Sequence, residues 1–474
     1  MSTTSIPGAP TSISATAALS SLAASVRGRA IFPHDPDYDA ARTLYNAMID
    51  KRPAVIIQAA DVADVITTVN AARESGIDLA VRGGGHNGPG LGSIDDGIVL
   101  DLSPMRGVRV DPVARTARVA GGANWADVDH ATAAFGLATP SGTISTTGVG
   151  GLTLGGGVGH LSRRFGLSID NLLEADIVLA DGSFVTACED SYPDLYWAIR
   201  GGGGNFGVVT SFLFQLHPVD TVVAGPTLWP IEQAAEVMRW YREFILTAPE
   251  DLSGFFAFLS VPPGPPFPEE LHGKIMCGVL WCYTGPKEQA DAHFAPVLEV
   301  GTPALHGVME MPFAALQSAF DGLYPPGEQW YWKADFVREL PDAAIEKYIE
   351  FGANLPTPKS TMHLYPINGA VHRVGRNDTA FSYRDVTWAM VIVGVDPDPA
   401  NKERISSWAR DYWRAVHPFA AGGAYVNMMM EEGQDRVRAS YQDNYDRLAA
   451  IKAKYDPTNL FRINQNIVPA SRAG

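Results

Sequence analysis

"GVGGLTLGGGVGH", residues 148–160, carries seven glycines in thirteen positions, and its reading decides the fold. A dinucleotide fingerprint of the doubly wound type needs an apolar strand before the glycines and a helix N-terminus after them. The residues before this run are "PSGTISTT", 140–147, which is no such strand. A second run, "RGGGGNFGVVTSFLF", 200–214, follows the helix-like "YPDLYWAIR" and enters a strand, the reverse order. A third, "VRGGGHN", 81–87, closes an apolar-flanked segment on a histidine. This order disfavours a nicotinamide-type domain. Three glycine clusters in one region suit backbone amides that must approach an extended pyrophosphate and a flat ring without side chains in the way.

Outward from these loops the pattern is mixed. Residues 53–81 predict a strand, a helix with Asp61 as N-cap and a second strand, because Ala59, Val62, Val65, Ile66, Val69 and Ala72 recur at helical spacing. "ADIVLADGSFVTA", 175–187, predicts a hairpin on an Asp181-Gly182 turn. Beyond residue 218 the texture changes to tryptophan-rich strands such as "GKIMCGVLWCY" and "TWAMVIVGV", separated by helical stretches such as "PIEQAAEVMRWYREFI". That alternation predicts an antiparallel sheet with helices on one side.

With 474 residues the chain exceeds one ordinary core, and no apolar run reaches the roughly 20 residues that span a bilayer. A formal charge of -16 without a basic cluster argues against a nucleic-acid partner. Cys188, Cys277 and Cys282 are odd in number and unpaired with histidines, so neither a disulfide framework nor a metal site is expected. Cys277 and Cys282 read as buried, inert thiols. Residues 1–28 lack a basic stretch before an apolar one and read as a flexible arm rather than a signal peptide, which makes a cytoplasmic protein the expectation.

Four motifs occur in order: "VRGGGHN", "PSGTISTTGVGGLTLGGGVGHLSRRFGLSIDNL", "DLYWAIRGGGGNFGVVTSF" and "YDPTNLFRINQNI". Together they resemble the FAD-linked oxidases of the berberine-bridge-enzyme type, in the vanillyl-alcohol-oxidase superfamily. The resemblance implies an α+β fold: a PCMH-type FAD-binding domain of two α+β subdomains over 29–218, a substrate domain over 219–412 with an antiparallel sheet backed by helices, and a segment over 413–474 that returns to the first domain. It implies a bond from a ring nitrogen of His86 to the 8α-methyl of the isoalloxazine, with Arg82 structural or near the pyrophosphate. Gly83, Gly84, Gly85, Asn87, Ser141, Gly142, Thr146, Thr147, Gly148, Gly150, Gly151, Gly155, Gly159, Gly203, Asn205, Gly207, Val209, Asn464 and Asn466 complete the implied cofactor set. Relatives often carry a second, cysteinyl link. Ile144 stands at that place here, so a single tether is expected, with the hydroxyls of Ser145, Thr146 and Thr147 near the flavin edge.

For catalysis the resemblance points to Tyr425 of "YVN", and an extended run would turn Asn427 to the same side. Tyr365, with His363 and Ile367 on one strand face, is the second choice for substrate contact. "QWYWKADF" supplies Trp330, Tyr331, Trp332 and Lys333, suited to an aromatic or sugar-like substrate or to ordinary packing; Glu431 and Glu432 read as a solvated helix start. The expected activity is oxidation of a small alcohol, lactol or secondary-metabolite intermediate, with O2 as electron acceptor. The alternatives are a dehydrogenase, an oxygenase, or a flavin-binding protein without turnover.

Overall fold

The computed structural model describes residues 12–471. Near the N-terminus a four-stranded sheet runs in the order Arg29–Ile31, Val55–Gln58, Ile98–Asp101, Leu79–Arg82. Its first strand is antiparallel and the other three are parallel. Val55, Ile56 and Ile57 are buried to 0% exposure, because both faces of the sheet are covered. The helix Val62–Ser75 begins where the Asp61 carboxylate accepts from the N–H groups of Ala63 and Asp64, and it ends on left-handed Gly76.

The expected flexible arm needs correction. Residues 1–11 lie outside the described residues, but Ser12–Ser25 is a helix, and Leu19 and Leu22 bury in the same cluster as Val65 and Val69. Its Ala- and Ser-rich composition hid this, since two leucines one turn apart make a narrow apolar stripe.

A second, antiparallel sheet of five strands runs Val108–Asp111, Thr116–Ala120, Val208–Gln215, Leu172–Val178, Phe184–Cys188. Its hairpin forms at residues 175–187, with a different turn from the two-residue one expected. The last ladder pair is Val178 and Phe184, the Leu179 N–H bonds to Ser183 O, and Gly182 adopts φ 84°. This is a three-residue loop closed by a left-handed glycine, and the Asp181 carboxylate pins it by accepting from Ser183.

The third sheet is antiparallel and eight-stranded. One face, with Phe256, Phe258, Met362, Leu364, Met390 and Ile392, packs under the helices Ala234–Thr247, Asp342–Gly352 and Lys402–Val416. The opposite face, with Phe255, Tyr365, Val391, Val393 and Trp330, joins the core that contains the glycine-rich loops. Strand alternation alone produces this division. Cys277 and Cys282 lie on the strand Ile275–Tyr283, and burial pushes both thiols up to about 12, so neither is a thiolate at neutral pH. The C-terminal helix Asn444–Tyr455 leads into a tail held by Asn205, whose side chain donates to Gln465 O and accepts from Ile467 N–H.

Candidate active site

The strand Leu79–Arg82 delivers the chain into residues 83–85, where Gly85 takes φ 71°. Gly84 lies so close to Gly148 that a Cβ on it would sit 2.4 Å from Gly148 N. Two glycine-rich loops therefore meet backbone to backbone, which any side chain would prevent. Beside this contact opens a cleft of about 310 Å³.

His86 lines the cleft with its ring stacked on Tyr45, centroids 3.9 Å apart at 20°. Its Nε2 lies 3.1 Å from Thr146 Oγ1 and its Nδ1 3.5 Å from Thr147 Oγ1. Burial pushes the imidazole down to about 4, so at neutral pH it is uncharged and one ring nitrogen keeps a lone pair.

Of the cofactor set, Arg82, Gly83, Gly84, Gly85, Asn87, Gly142, Thr147, Gly148, Gly151, Gly203, Asn205 and Asn464 line the cleft with His86. The others stand behind its wall. Ser141 accepts from Gln317 Nε2, and a Cβ on Gly159 would meet Ser141 O at 2.1 Å. Gly155 makes room for the Asn427 side chain, Gly207 for Val178 O, and Gly150 faces Gly121 O. Val209 is a strand residue opposite Ile177. Arg82 pairs with Asp101 at 2.8 Å, both buried, yet its Nη1 has no partner among the described residues, nor has Asn466 Oδ1. An FAD fits this cradle: Gly83, Gly84, Gly85, Gly148, Gly151 and Gly203 leave this part of the cleft wall without side chains, as the backbone approach of a flat, extended ligand requires.

Tyr425 and Asn427 do come together, by a route other than the expected extended run. Val426–Met428 is a 3₁₀ turn. Asn427 Nδ2 donates to the Tyr425 oxygen at 2.8 Å and to Leu152 O at 2.9 Å, and the Gly157 N–H donates to the same phenol oxygen at 2.8 Å. Burial pushes Tyr425 up to about 12, while these donors pull the other way.

Across the cleft stands the eight-stranded sheet. On the strand Thr361–Pro366, His363 Nδ1 lies 2.7 Å from the Tyr365 hydroxyl; burial pushes His363 down to about 3 and raises Tyr365. Val391 is in register with His363, and Val393 with Thr361 and Trp332. Trp330 and Trp332 face the cleft with Tyr324. Ile367, just past the strand, is core. Lys333 turns away to pair with Glu432 at 2.9 Å, and Arg436 stands 3.5 Å from the same carboxylate. Glu432 is thus a buried ion-pair partner, its side chain 7% exposed, and the solvated helix start applies to Glu431 alone; the helix begins at Gln434.

Two lining residues, Tyr45 and Tyr324, escaped sequence reasoning. Neither sits in a motif. They join through the Tyr45 hydroxyl, which donates to Tyr324 O at 2.6 Å across 279 positions.

The family model described as an FAD binding domain matches residues 53–187, and that described as berberine and berberine like matches 424–468. An FAD-linked oxidoreductase of Dictyostelium discoideum is 31% identical over 429 residues, covering 90% of this chain and 91% of that protein. The (R)-6-hydroxynicotine oxidase of Paenarthrobacter nicotinovorans is 28% identical over 94% of this chain and 97% of its own. The solved structure of BBE-like 1 from Physcomitrella patens superposes with a TM-score of 0.84 at 26% identity, covering 96% of this chain and 99% of that one.

Proposed function

The chain belongs to the FAD-linked oxidoreductases of the berberine-like type, and from that premise we propose that it oxidises a small organic alcohol or lactol using FAD tethered at His86. When bound, FAD supplies the hydride acceptor, and O2 is the proposed final electron acceptor. The neutral imidazole of His86, fixed by Tyr45 stacking and two threonine hydroxyls, supports attachment through a ring nitrogen. Ile144 lines the cleft where relatives place a cysteine, which supports a single tether.

Residues 29–218 with the returning 413–474 would hold the cofactor, and 219–412 would hold the substrate. Tyr425, once ionised to the phenolate, is the proposed acceptor of the substrate hydroxyl proton, with Asn427 and the Gly157 N–H stabilising that phenolate against the burial that opposes it; Tyr365 contacts substrate and is the second choice for that task. The observation that carries the reading is the convergence of His86, the Tyr425–Asn427 pair and Tyr365 on one cleft. An anaerobic screen of alcohols, sugars and lactols, followed by bleaching of the flavin band, tests it. Absence of bleaching by every donor would favour a flavin-binding protein without turnover. Fast recolouring in air supports O2 as acceptor, whereas slow recolouring would favour a dehydrogenase.

A further inference from the structure

The residues that hold His86 also reach the eight-stranded sheet. Tyr45 covers one face of the imidazole, its backbone N–H donates to Gly85 O at 3.2 Å, and its hydroxyl donates to Tyr324 O at 2.6 Å. From the sheet side the Gly327 N–H donates to Tyr45 O at 3.0 Å. The next residue repeats the pattern with its side chain. Asn46, 1% exposed, donates to Gly88 O at 2.7 Å and to Trp330 O at 3.0 Å, and accepts from the Trp330 N–H at 3.1 Å. The Ala47 N–H then donates to Glu328 O at 2.9 Å. Residues 45–47 are therefore bonded to the His86 loop on one side and, on the other, to residues 324–330, which lead into the strand Gln329–Val337.

What this clip does to the imidazole follows from the shape of the ring. The lone pair of a ring nitrogen lies in the ring plane, so a partner stacked on the face restrains rotation and leaves that lone pair free. Thr146 Oγ1 lies 3.1 Å from Nε2 and Thr147 Oγ1 3.5 Å from Nδ1, so Tyr45 sets the face of the ring and the two hydroxyls set its edge. Burial raises the Tyr45 phenol, which stays protonated at neutral pH and is no base; its part is to position. Placement weighs heavily in bond formation, since a displacement of about 1 Å costs on the order of 100-fold in rate.

We propose that Tyr45 is a positioning residue for the attachment of FAD to His86, and that its anchorage on residues 324–330 makes attachment depend on the docked eight-stranded sheet. Attachment exchanges a C–H bond of the flavin 8α-methyl and the N–H of the neutral imidazole for one C–N bond. The electron pair and the two protons released stay with the isoalloxazine until dioxygen removes them as hydrogen peroxide. This rests on the tether read above and adds its control by a second part of the fold.

The test follows full-length protein after a short pulse of expression, with total bound FAD and acid-precipitable flavin measured at intervals. In the unmodified protein nearly all bound FAD should become acid-precipitable. Tyr45→Phe keeps the stack and removes the tie to Tyr324 O, and should slow attachment about 2- to 10-fold, the worth of one hydrogen bond. Tyr45→Leu removes both and should slow it about 100-fold. Both variants should still bind FAD at the occupancy of the unmodified protein, held by the glycine loops. An unchanged attachment rate in either variant overturns the proposal. So does a loss of attachment matched by an equal loss of bound FAD, which is what a merely structural role produces. Should Tyr45→Leu not fold, Tyr45→Phe alone decides. Acid-labile flavin in the unmodified protein removes the tether reading itself, a different failure from a linked protein whose variants attach at the same rate.

Discussion

The phenol oxygen of Tyr425 accepts the backbone N–H of Gly157 at 2.8 Å, across 268 positions of sequence. Gly157 has φ 84°, and a Cβ on it would lie 2.0 Å from Ser168 Oγ, so only glycine presents that N–H. With Asn427 as the second donor, the oxygen is prepared for negative charge although burial opposes ionisation. Tyr425→Phe should keep the ring packing and the visible spectrum, and slow anaerobic flavin reduction about 100- to 10,000-fold, some 3 to 5 kcal/mol. An unchanged reduction rate in stopped-flow absorbance would move the assignment to Tyr365.

The tether makes a separate expectation. Acid-precipitated protein should stay yellow, and one flavin-bearing peptide, containing His86, should appear in the digest by mass spectrometry. In His86→Ala the glycine cradle remains, so FAD should still bind and then leave on denaturation, with reduced turnover. Flavin mass on the peptide containing Cys188 would contradict the single link.

How much of this the sequence disclosed follows from which interactions are local. The glycine runs and their flanking order excluded a doubly wound domain, and "TWAMVIVGV" was legible as a strand because a short apolar run needs no partner, whereas only the sheet register shows Val391 and Val393 on the cleft face. The "YVN" motif marked Tyr425 and Asn427 although the turn between them was misread; the meeting of their side chains depends on Leu152 and Gly157, far away in sequence. Tyr45 and Tyr324 were invisible for the same reason. Nor could Glu432 be read as buried, since Lys333 and Arg436 reach it only after the sheet forms.

The tail has its own lock. Lys452 and Asp456 are both 0% exposed, and the ammonium donates to Asp456 Oδ2 at 2.6 Å and to the carbonyls of Asn205 and Phe461. Asp456 in turn accepts from the N–H groups of Leu460 and Phe461. Lys452→Met would leave that carboxylate buried without its cation and should cost about 3–5 kcal/mol in urea unfolding. Because Asn205 sits on the glycine loop, the variant should also release unlinked FAD more readily in a His86→Ala background. A loss under about 1 kcal/mol would show that water reaches the pair.

Acid stability gives the last expectation. His160 is fully buried beside Phe255, its Nε2 has no partner among the described residues, and burial pushes it from 6.5 down to about 4. Between those values the unfolded chain binds a proton that the folded protein refuses, so stability is fully present above pH 6.5 and is lost as pH falls towards 4. From pH 7 to pH 5 this one ring should remove about 2 kcal/mol. His363, pushed down to about 3, acts in the same sense, whereas Asp129, raised to about 7 by burial, gains its proton on folding and acts in the opposite one. The total slope therefore mixes signs, and the informative quantity is a difference. His160→Phe, measured by urea unfolding beside the unmodified protein at both pH values, should lose less stability on acidification by about 2 kcal/mol. Equal losses in the two proteins would mean that His160 protonates without unfolding, by reaching water.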